Sequence, residues 1–373
     1  MSLLALLLVN LGARDSVAVP PAEELGRLEA WVRYDAGWYY SIARDGYFYI
    51  PGQQSSVAFF PTYPVLMSLG GPVMGYYLTG VIVTLAAGLA SVLLLTRWSA
   101  DRVPRGVALS AVWLVLLYPY ALFLYGAVYS DALFLACALS AFLLLERGHP
   151  WLAGLVGVLA TAGRPIGVAL ALGLALRALE LAYERGLDTG PRGASRRDAF
   201  RVALRHLRLS DAGVLLAGLG LVGYMIYQWS AFGTPVAFVL AQSSPGWDQG
   251  TGPEAWFKFG FFYVLVHGTP WEIARLLLPA LLCLGALLML PRVLRRFGWG
   301  YAAFTAVIVL IPVIGTKDFM GSGRYLLVAF PLFVVLAEIL DSRPRVVRVV
   351  VPATSAVILG LFTALYGYGA QVS

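Results

Sequence analysis

The sequence predicts an all-α polytopic membrane protein, on three observations. Of its 373 residues, 60% are apolar and only 13% are charged, and the mean hydropathy is +0.77; soluble domains carry about a quarter charged residues. Apolar runs such as 76–96, 106–125 and 211–232 are long enough to cross a bilayer as helices. The cations sit in short loops between these runs, so the net charge of +7 reads as membrane topology and not as nucleic-acid binding. The 25 Arg against 2 Lys, with abundant Ala, Gly, Leu and Val, is a bias of GC-rich coding that points to a bacterium.

About eleven segments are expected, at 1–12, 76–96, 106–125, 131–146, 151–163, 165–178, 211–232, 273–291, 300–315, 324–340 and 349–368. The loops 97–105, 147–150, 177–210, 292–299 and 341–348 hold 18 of the 27 Lys and Arg. All five fall on one side, the cytoplasmic one, if 151–178 is a hairpin of two short segments with its tip at Gly163-Arg164-Pro165-Ile166-Gly167. One long helix there would send the eight arginines of 177–210 outside, so the hairpin is preferred. The outer side then carries loop 13–75, loop 233–272 and the turn 316–323. The chain reads as one membrane domain over 1–373 in the plasma membrane. Residues 1–12 are apolar but too short to span, with neither a basic start nor a small-residue cleavage site. No cleavable signal peptide is therefore expected, and the first transmembrane helix is expected to begin upstream of Met1. Cys137 and Cys283 lie inside apolar runs, which speaks against a disulfide framework or a cysteine metal site.

In the first outer loop, 31–44 reads as a helix. Trp31, Asp35, Trp38, Tyr39 and Ile42 share one face, and Arg33, Gly37, Tyr40 and Arg44 the other, with Gly46 as the stop. Tryptophan and tyrosine favour the membrane interface, so the stretch is expected to lie in the membrane plane. A simple anchor would turn its polar groups to water, yet Asp35 sits on the aromatic face. A carboxylate there is costly unless it is paired or used. Asp35 is therefore the candidate functional acid and most of the aromatics are anchors; Asp45 reads as a capping or solvated residue. Ala58-Phe59-Phe60-Pro61-Thr62-Tyr63-Pro64 is a stiff aromatic segment, either a cavity wall or a helix entry.

Three cations defy the inside preference: Arg164, Lys317 and Arg324. Arg164 sits at the hairpin tip, where broken helices are tolerated if they line a cavity. Arg324 starts a helix after the 316–323 turn. Snorkelling to headgroups accounts for Lys317, but two outward arginines beside a cavity also suit a phosphate. Asp131, at another outer helix start, fits an N-terminal cap. His267 is expected to face outward; a lone histidine is more often structural than in contact with substrate. His149 and His206 fall inside. HExxH, Walker-loop, GxSxG and zinc spacings do not occur.

These residues resemble a family. Asp35 with Trp38, Ile42-Ala43 and Gly46-Tyr47, then Phe59-Phe60-Pro61 and Tyr63-Pro64, is similar to the first outer loop of GPI mannosyltransferase 2 (phosphatidylinositol-glycan class V) and its prokaryotic homologues. The likeness continues in Tyr129-Ser130-Asp131-Ala132-Leu133-Phe134, where the family often has Glu at the third place, and in Glu146-Arg147-Gly148. It runs on through Thr161-Ala162-Gly163-Arg164-Pro165-Ile166-Gly167 and Phe232-Gly233-Thr234-Pro235-Val236-Ala237-Phe238 with Gln242 and Trp247. It ends in Gly323-Arg324-Tyr325-Leu326 and Phe330-Pro331-Leu332-Phe333. Each motif is modest; the ordered set covers nearly the whole chain. Tyr34 departs from the Trp that commonly precedes the acid, a change of packing.

The resemblance implies a GT-C membrane glycosyltransferase with interfacial helices in its first outer loop, using a polyprenyl-phosphate sugar on the extracytoplasmic face. Its partners would be that donor, a lipid or glycan acceptor and membrane lipids, with no nucleic acid. The hexose would be mannose by likeness to the eukaryotic relatives. Asp35 would accept the proton of the acceptor hydroxyl. Arg164 and Arg324, helped by Lys317, would stabilise the leaving phosphate. The loop-one aromatics, Trp38 and Tyr39 among them, would shape the sugar pocket, with Tyr129, Asp131, Gln242, His267 and Tyr325 as further substrate contacts. Single displacement would invert a β-linked donor to an α product. No cofactor is demanded; a divalent metal is compatible with the chemistry, but the outer acids do not cluster at a ligand spacing. The rival reading is a transporter or flippase of lipid-linked sugars. Transporters carry ionisable residues mid-helix for coupling, and here the helix interiors are almost free of charge. A non-catalytic scaffold gives the acid no purpose.

Overall fold

Helices are the only regular structure among the described residues. The computed structural model describes residues 26–187, 202–247, 249 and 252–372. The expected segment 1–12 and much of the basic loop lie outside the described residues.

The order is α1 (Asp35–Asp45), α2 (Thr62–Met74), α3 (Tyr76–Ala100), α4 (Arg105–Leu116), α5 (Asp131–Glu146), α6 (Pro150–Thr161) and α7 (Gly167–Leu187). After the 3-10 stretch Leu209–Gly218 come α8 (Leu219–Phe232), α9 (Ala237–Gln242), α10 (Pro253–Trp256), α11 (Phe259–His267), α12 (Pro270–Phe297), α13 (Trp299–Gly315), α14 (Ser322–Leu327), α15 (Phe330–Asp341) and α16 (Arg345–Tyr368). Four stretches are long and apolar enough to cross a membrane, namely α3, Leu209–Phe232, α12 and α16; α4, α6 and α13 are shorter apolar helices.

At the centre, α5 is apolar all round, with Phe134, Leu135, Ala138, Leu139 and Phe142 at most 2% exposed. A helix hydrophobic on every side belongs in a core. At the periphery, α12 and α16 leave Leu281, Leu284, Leu288, Val346, Val357 and Leu361 exposed, as expected of helices facing lipid. Close helix contacts rest on small residues. A Cβ at Gly154 of α6 would overlap the carbonyl of Gly213, so only glycine lets these two backbones meet.

Several expected segments are corrected. The 31–44 helix is split: Gly26–Trp31 is a 3-10 turn, the chain breaks at 32–34, and the α-helix starts at Asp35. Nor does it lie open on a membrane surface, because Ala36, Tyr39 and Ile42 are buried. The 106–125 segment ends as a helix at Leu116 and continues through a 3-10 turn at Ala121–Leu124. The second arm of the 151–178 hairpin runs on to Leu187, and 324–340 breaks between Leu327 and Phe330. The hairpin itself is present, since α6 and α7 are joined by a tight turn at 162–166.

The basic loops meet at one end of the bundle. Arg102 pairs with Glu146, and Arg177 with Glu146 (3.2 Å), Glu180 (3.4 Å) and Glu184 (2.9 Å). Arg296 pairs with Glu338 at 2.8 Å. Tyr301 donates to Glu146 at 2.9 Å and receives the Trp98 indole N–H at 2.8 Å. A charged cleft of about 660 Å³ opens here. Glu180 also accepts the first amides of α13, from Trp299 and Gly300, placing an anion at a helix N-terminus, where the dipole favours it. Because α5 runs from Asp131 to Glu146, the other end of the bundle is about 22 Å away at 1.5 Å per residue.

Candidate active site

At that other end, four segments far apart in sequence converge. The chain before α1 is anchored first. The Arg33 guanidinium, buried, donates to the Gly367 carbonyl at 3.1 Å, and the Tyr34 hydroxyl donates to the Gly369 carbonyl. These bonds place cationic and hydroxyl donors on the last carbonyls of α16. They also hold Tyr34 at φ +53°, a left-handed conformation that costs a non-glycine residue about 1–3 kcal/mol. The helix can begin only after that kink, so Asp35 becomes its first residue. Its amide donates to the Tyr129 hydroxyl at 3.3 Å.

Asp35 Oδ2 accepts from Arg324 Nη1 at 3.0 Å. Arg324 Nε lies 3.8 Å from Asp131 Oδ1, and Asp131 pairs in turn with Arg164. The result is an alternating row, Asp35–Arg324–Asp131–Arg164. The side chains are 30%, 15%, 1% and 6% exposed in that order, so the row runs from an open end to a sealed one. Asp35 Oδ1 shows no partner among the described residues, and Asp35 is the more exposed carboxylate of the row. Aromatic faces line the cations: Arg324 lies over Tyr129 (4.9 Å) and Phe123 (5.4 Å), and Arg164 over Tyr325 (5.1 Å).

Local packing fixes each member. Thr62 at the start of α2 donates from its amide to Ala162 (3.0 Å) and from its hydroxyl to Leu159 (2.8 Å), which holds the Arg164 turn. Gly323 packs flat on Tyr120, and its carbonyl accepts from Tyr118 at 2.8 Å; any Cβ there would overlap the Tyr120 ring and shift Arg324. Tyr39 is buried against Ser130 at 3.0 Å. Burial, and then the Asp35 charge, pushes its hydroxyl up to about 12, so it stays neutral at physiological pH.

Trp38 stacks on Phe59 (5.7 Å) and meets Trp247 edge-on (5.3 Å), one helical turn beyond Asp35. The 58–64 segment therefore serves both readings left open above: Phe59 joins this aromatic wall, while Phe60 and Tyr63 are core residues beside the entry to α2.

Of the expected site residues, the structure brings together Asp35, Arg324, Asp131, Arg164, Tyr129, Tyr325 and Tyr39, with Trp38 beside them. Asp131 is not the N-terminal cap; Ser130 holds that position, no side-chain cap bond forms there, and the Asp131 carboxylate turns to the two arginines instead. His267 stacks on Tyr263 of its own helix at 4.6 Å, apart from the row among the described residues. Gln242 ends α9, and its carbonyl accepts from the Gln249 amide at 3.4 Å. Lys317 is half-buried, with its amide donating to the Gln249 carbonyl at 2.6 Å. Lys258 escaped the sequence reading. Its ammonium is buried among carbonyls at the C-terminus of α13, and its one signal was a lone cation amid aromatics in an outer loop. Among the described residues, no group of three His, Cys, Asp or Glu side chains is placed to hold a metal ion.

No protein-family model matches the sequence, and no match is found among curated proteins. Solved structures do match. ArnT from Cupriavidus metallidurans, solved bound to undecaprenyl phosphate, aligns with 99% of this chain and 75% of its own, at 13% identity and TM-score 0.53. The apo oligosaccharyltransferase of Archaeoglobus fulgidus aligns with 99% of this chain at 12% identity and TM-score 0.46; this chain spans 56% of its length. The ArnT likeness shows the fold: this is an all-α polytopic membrane protein of the GT-C fold.

Proposed function

We propose that this protein is a glycosyltransferase that moves a hexose from a polyprenyl-phosphate donor to a lipid or glycan acceptor, with Asp35 as the base. The observation that carries this is the open end of the charged row. A carboxylate with one oxygen unpartnered among the described residues sits 3.0 Å from an arginine, beside an aromatic wall and at a helix start. The likeness to a fold solved with undecaprenyl phosphate supports the donor class. Mannose is the hexose the sequence resemblance favours. In this reading, 1–373 belongs to one membrane domain. The basic end is cytoplasmic by the positive-inside rule, which puts Asp35 on the extracytoplasmic face.

In this reading the acceptor oxygen attacks the anomeric carbon while Asp35 takes its proton. The bond from that carbon to the phosphate oxygen breaks, and the polyprenyl phosphate leaves with the electron pair. One displacement converts a β-linked donor to an α product. Arg324 is the cation that meets the phosphate, since it is the more accessible of the two arginines and lies beside Asp35. Arg164 is sealed behind Asp131 and holds the row in place, a smaller role than the direct clamp expected from sequence. As Arg324 turns to the phosphate, Asp35 is released from its ion pair to act as base. Lys317 stands in the turn leading to Arg324.

The test is transfer from radiolabelled polyprenyl-phosphate mannose into native membrane lipids. A labelled lipid or glycan product is expected. No product from any polyprenyl-phosphate sugar, with folded protein, would overturn the reading in favour of a carrier of lipid-linked sugars.

A further inference from the structure

Lys258 is 6% exposed, and among the described residues the hydrogen-bond partners of its ammonium are carbonyls and a hydroxyl, not carboxylates. It sits in a cage of neutral oxygens: the carbonyls of Pro312 (3.1 Å), Thr316 (2.5 Å) and Asp318 (3.1 Å) and the Thr316 hydroxyl (3.3 Å). The Phe319 ring closes one side at 4.8 Å. Three N–H donors thus meet four acceptors. To reach them, the Lys258 backbone adopts φ +57°, a cost borne only where surrounding contacts over-determine it. The cage occupies the negative end of the α13 dipole, opposite Glu180 at its N-terminus.

The caged segment leads directly to the site. Asp318 Oδ1 accepts the Met320 amide at 2.8 Å, Phe319 accepts the Ser322 amide, and Gly321 accepts the Arg324 amide. This unbroken set of turns runs from the cage to Arg324. Lys258 also belongs to a loop that reaches the other half of the site, through Trp247 against Trp38. The loop grips the turn twice more, by the Gln249 carbonyl on the Lys317 amide and by Phe261 edge-on to Phe319 at 5.0 Å.

We propose that Lys258 is a positioning residue: its ammonium is the resident cation of an oxygen cage that fixes the 316–321 turn, and so the approach of Arg324 to Asp35. The catalytic consequence rests on the glycosyltransferase reading; the placement of the turn does not.

The experiment is hydrogen exchange of amides 316–325 in detergent-purified full-length protein, wild type against Lys258→Gly. Glycine suits the positive φ and leaves the cage open. Exchange in the variant should speed up about tenfold, the scale of one lost charge-assisted hydrogen bond. Methylammonium, which fits the cage and donates, should slow it again; tetramethylammonium, with no N–H, should not. Unchanged exchange in the folded variant overturns the proposal, and so does faster exchange that methylammonium leaves untouched. If Lys258→Gly does not fold, Lys258→Met keeps the stem and carries the comparison with wild type. In transfer assays, Lys258→Met should raise the donor KM about tenfold with kcat nearly kept, whereas simple loss of folded enzyme would lower kcat alone. If wild type transfers no sugar, the function fails while the exchange result still decides the cage.

Discussion

Asp131→Asn tests whether the charged row is one unit. Asp131 is 1% exposed and contacts both Arg164 and Arg324. At 3.8 Å and an effective dielectric of about 20, its attraction to Arg324 alone is about 4 kcal/mol before desolvation is set against it. Asparagine keeps the volume and removes the charge, leaving Arg164 buried without an anion. Cutting one partner from a buried pair costs about 3–5 kcal/mol. Arg164→Met alone should cost a similar amount, because it strands Asp131 with Arg324 only. The double variant removes both buried charges, while Arg324 keeps Asp35. Its cost should fall about 2–3 kcal/mol below the sum of the singles, the upper part of the roughly 0.5–3 kcal/mol range for residues sharing one network. The assay is reversible denaturant unfolding in mixed micelles, run as a double-mutant cycle. Additivity within about 0.5 kcal/mol would refute the argument that Asp131 and Arg164 act through each other.

Other outcomes follow from the same geometry. Gly323→Ala should destabilise by about 1–3 kcal/mol through overlap with Tyr120 and impair transfer by displacing Arg324; thermal unfolding in detergent and donor kinetics read the two effects. Glu146→Gln, at the basic end, should cost about 3 kcal/mol because Arg102, Arg177 and Tyr301 all turn to that carboxylate, yet leave the donor KM unchanged. For Lys258, burial lowers the pKa from 10.5 to about 8, against the opposing pull of the nearby Asp318; buried Cys283 is the other titratable group facing it. Between those values the unfolded chain holds the proton that the folded chain has released. Wild-type stability relative to Lys258→Met should therefore rise from about pH 8 toward 10.5, and a flat or falling difference in pH-dependent unfolding would contradict it.

Residues that break a local rule were the legible part of the site. Asp35 stood out as an acid on an aromatic face, and Arg164 and Arg324 as cations on the side that avoids them. Periodicity and the arginine loops gave the helical class and gathered the basic loops at one end, where Arg102, Glu146, Arg177 and Arg296 now meet. What escaped was set by contacts remote in sequence. The break before Asp35 depends on Arg33 and Tyr34 binding the carbonyls of Gly367 and Gly369, more than 330 positions away. A helix-start rule suggested that Asp131 was a cap, but two buried arginines outcompete a backbone amide for a carboxylate. Lys258 was passed over because nothing local announces that the end of a distant helix will enclose it.

The most direct test of the account is sugar transfer by wild type and Asp35→Asn, at matched expression and matched thermal unfolding, with donor binding measured in parallel. The account predicts that the variant still binds polyprenyl-phosphate sugar and loses transfer by about 100-fold or more, the scale of a missing general base. Transfer at the wild-type rate by a folded, donor-binding Asp35→Asn protein would contradict it.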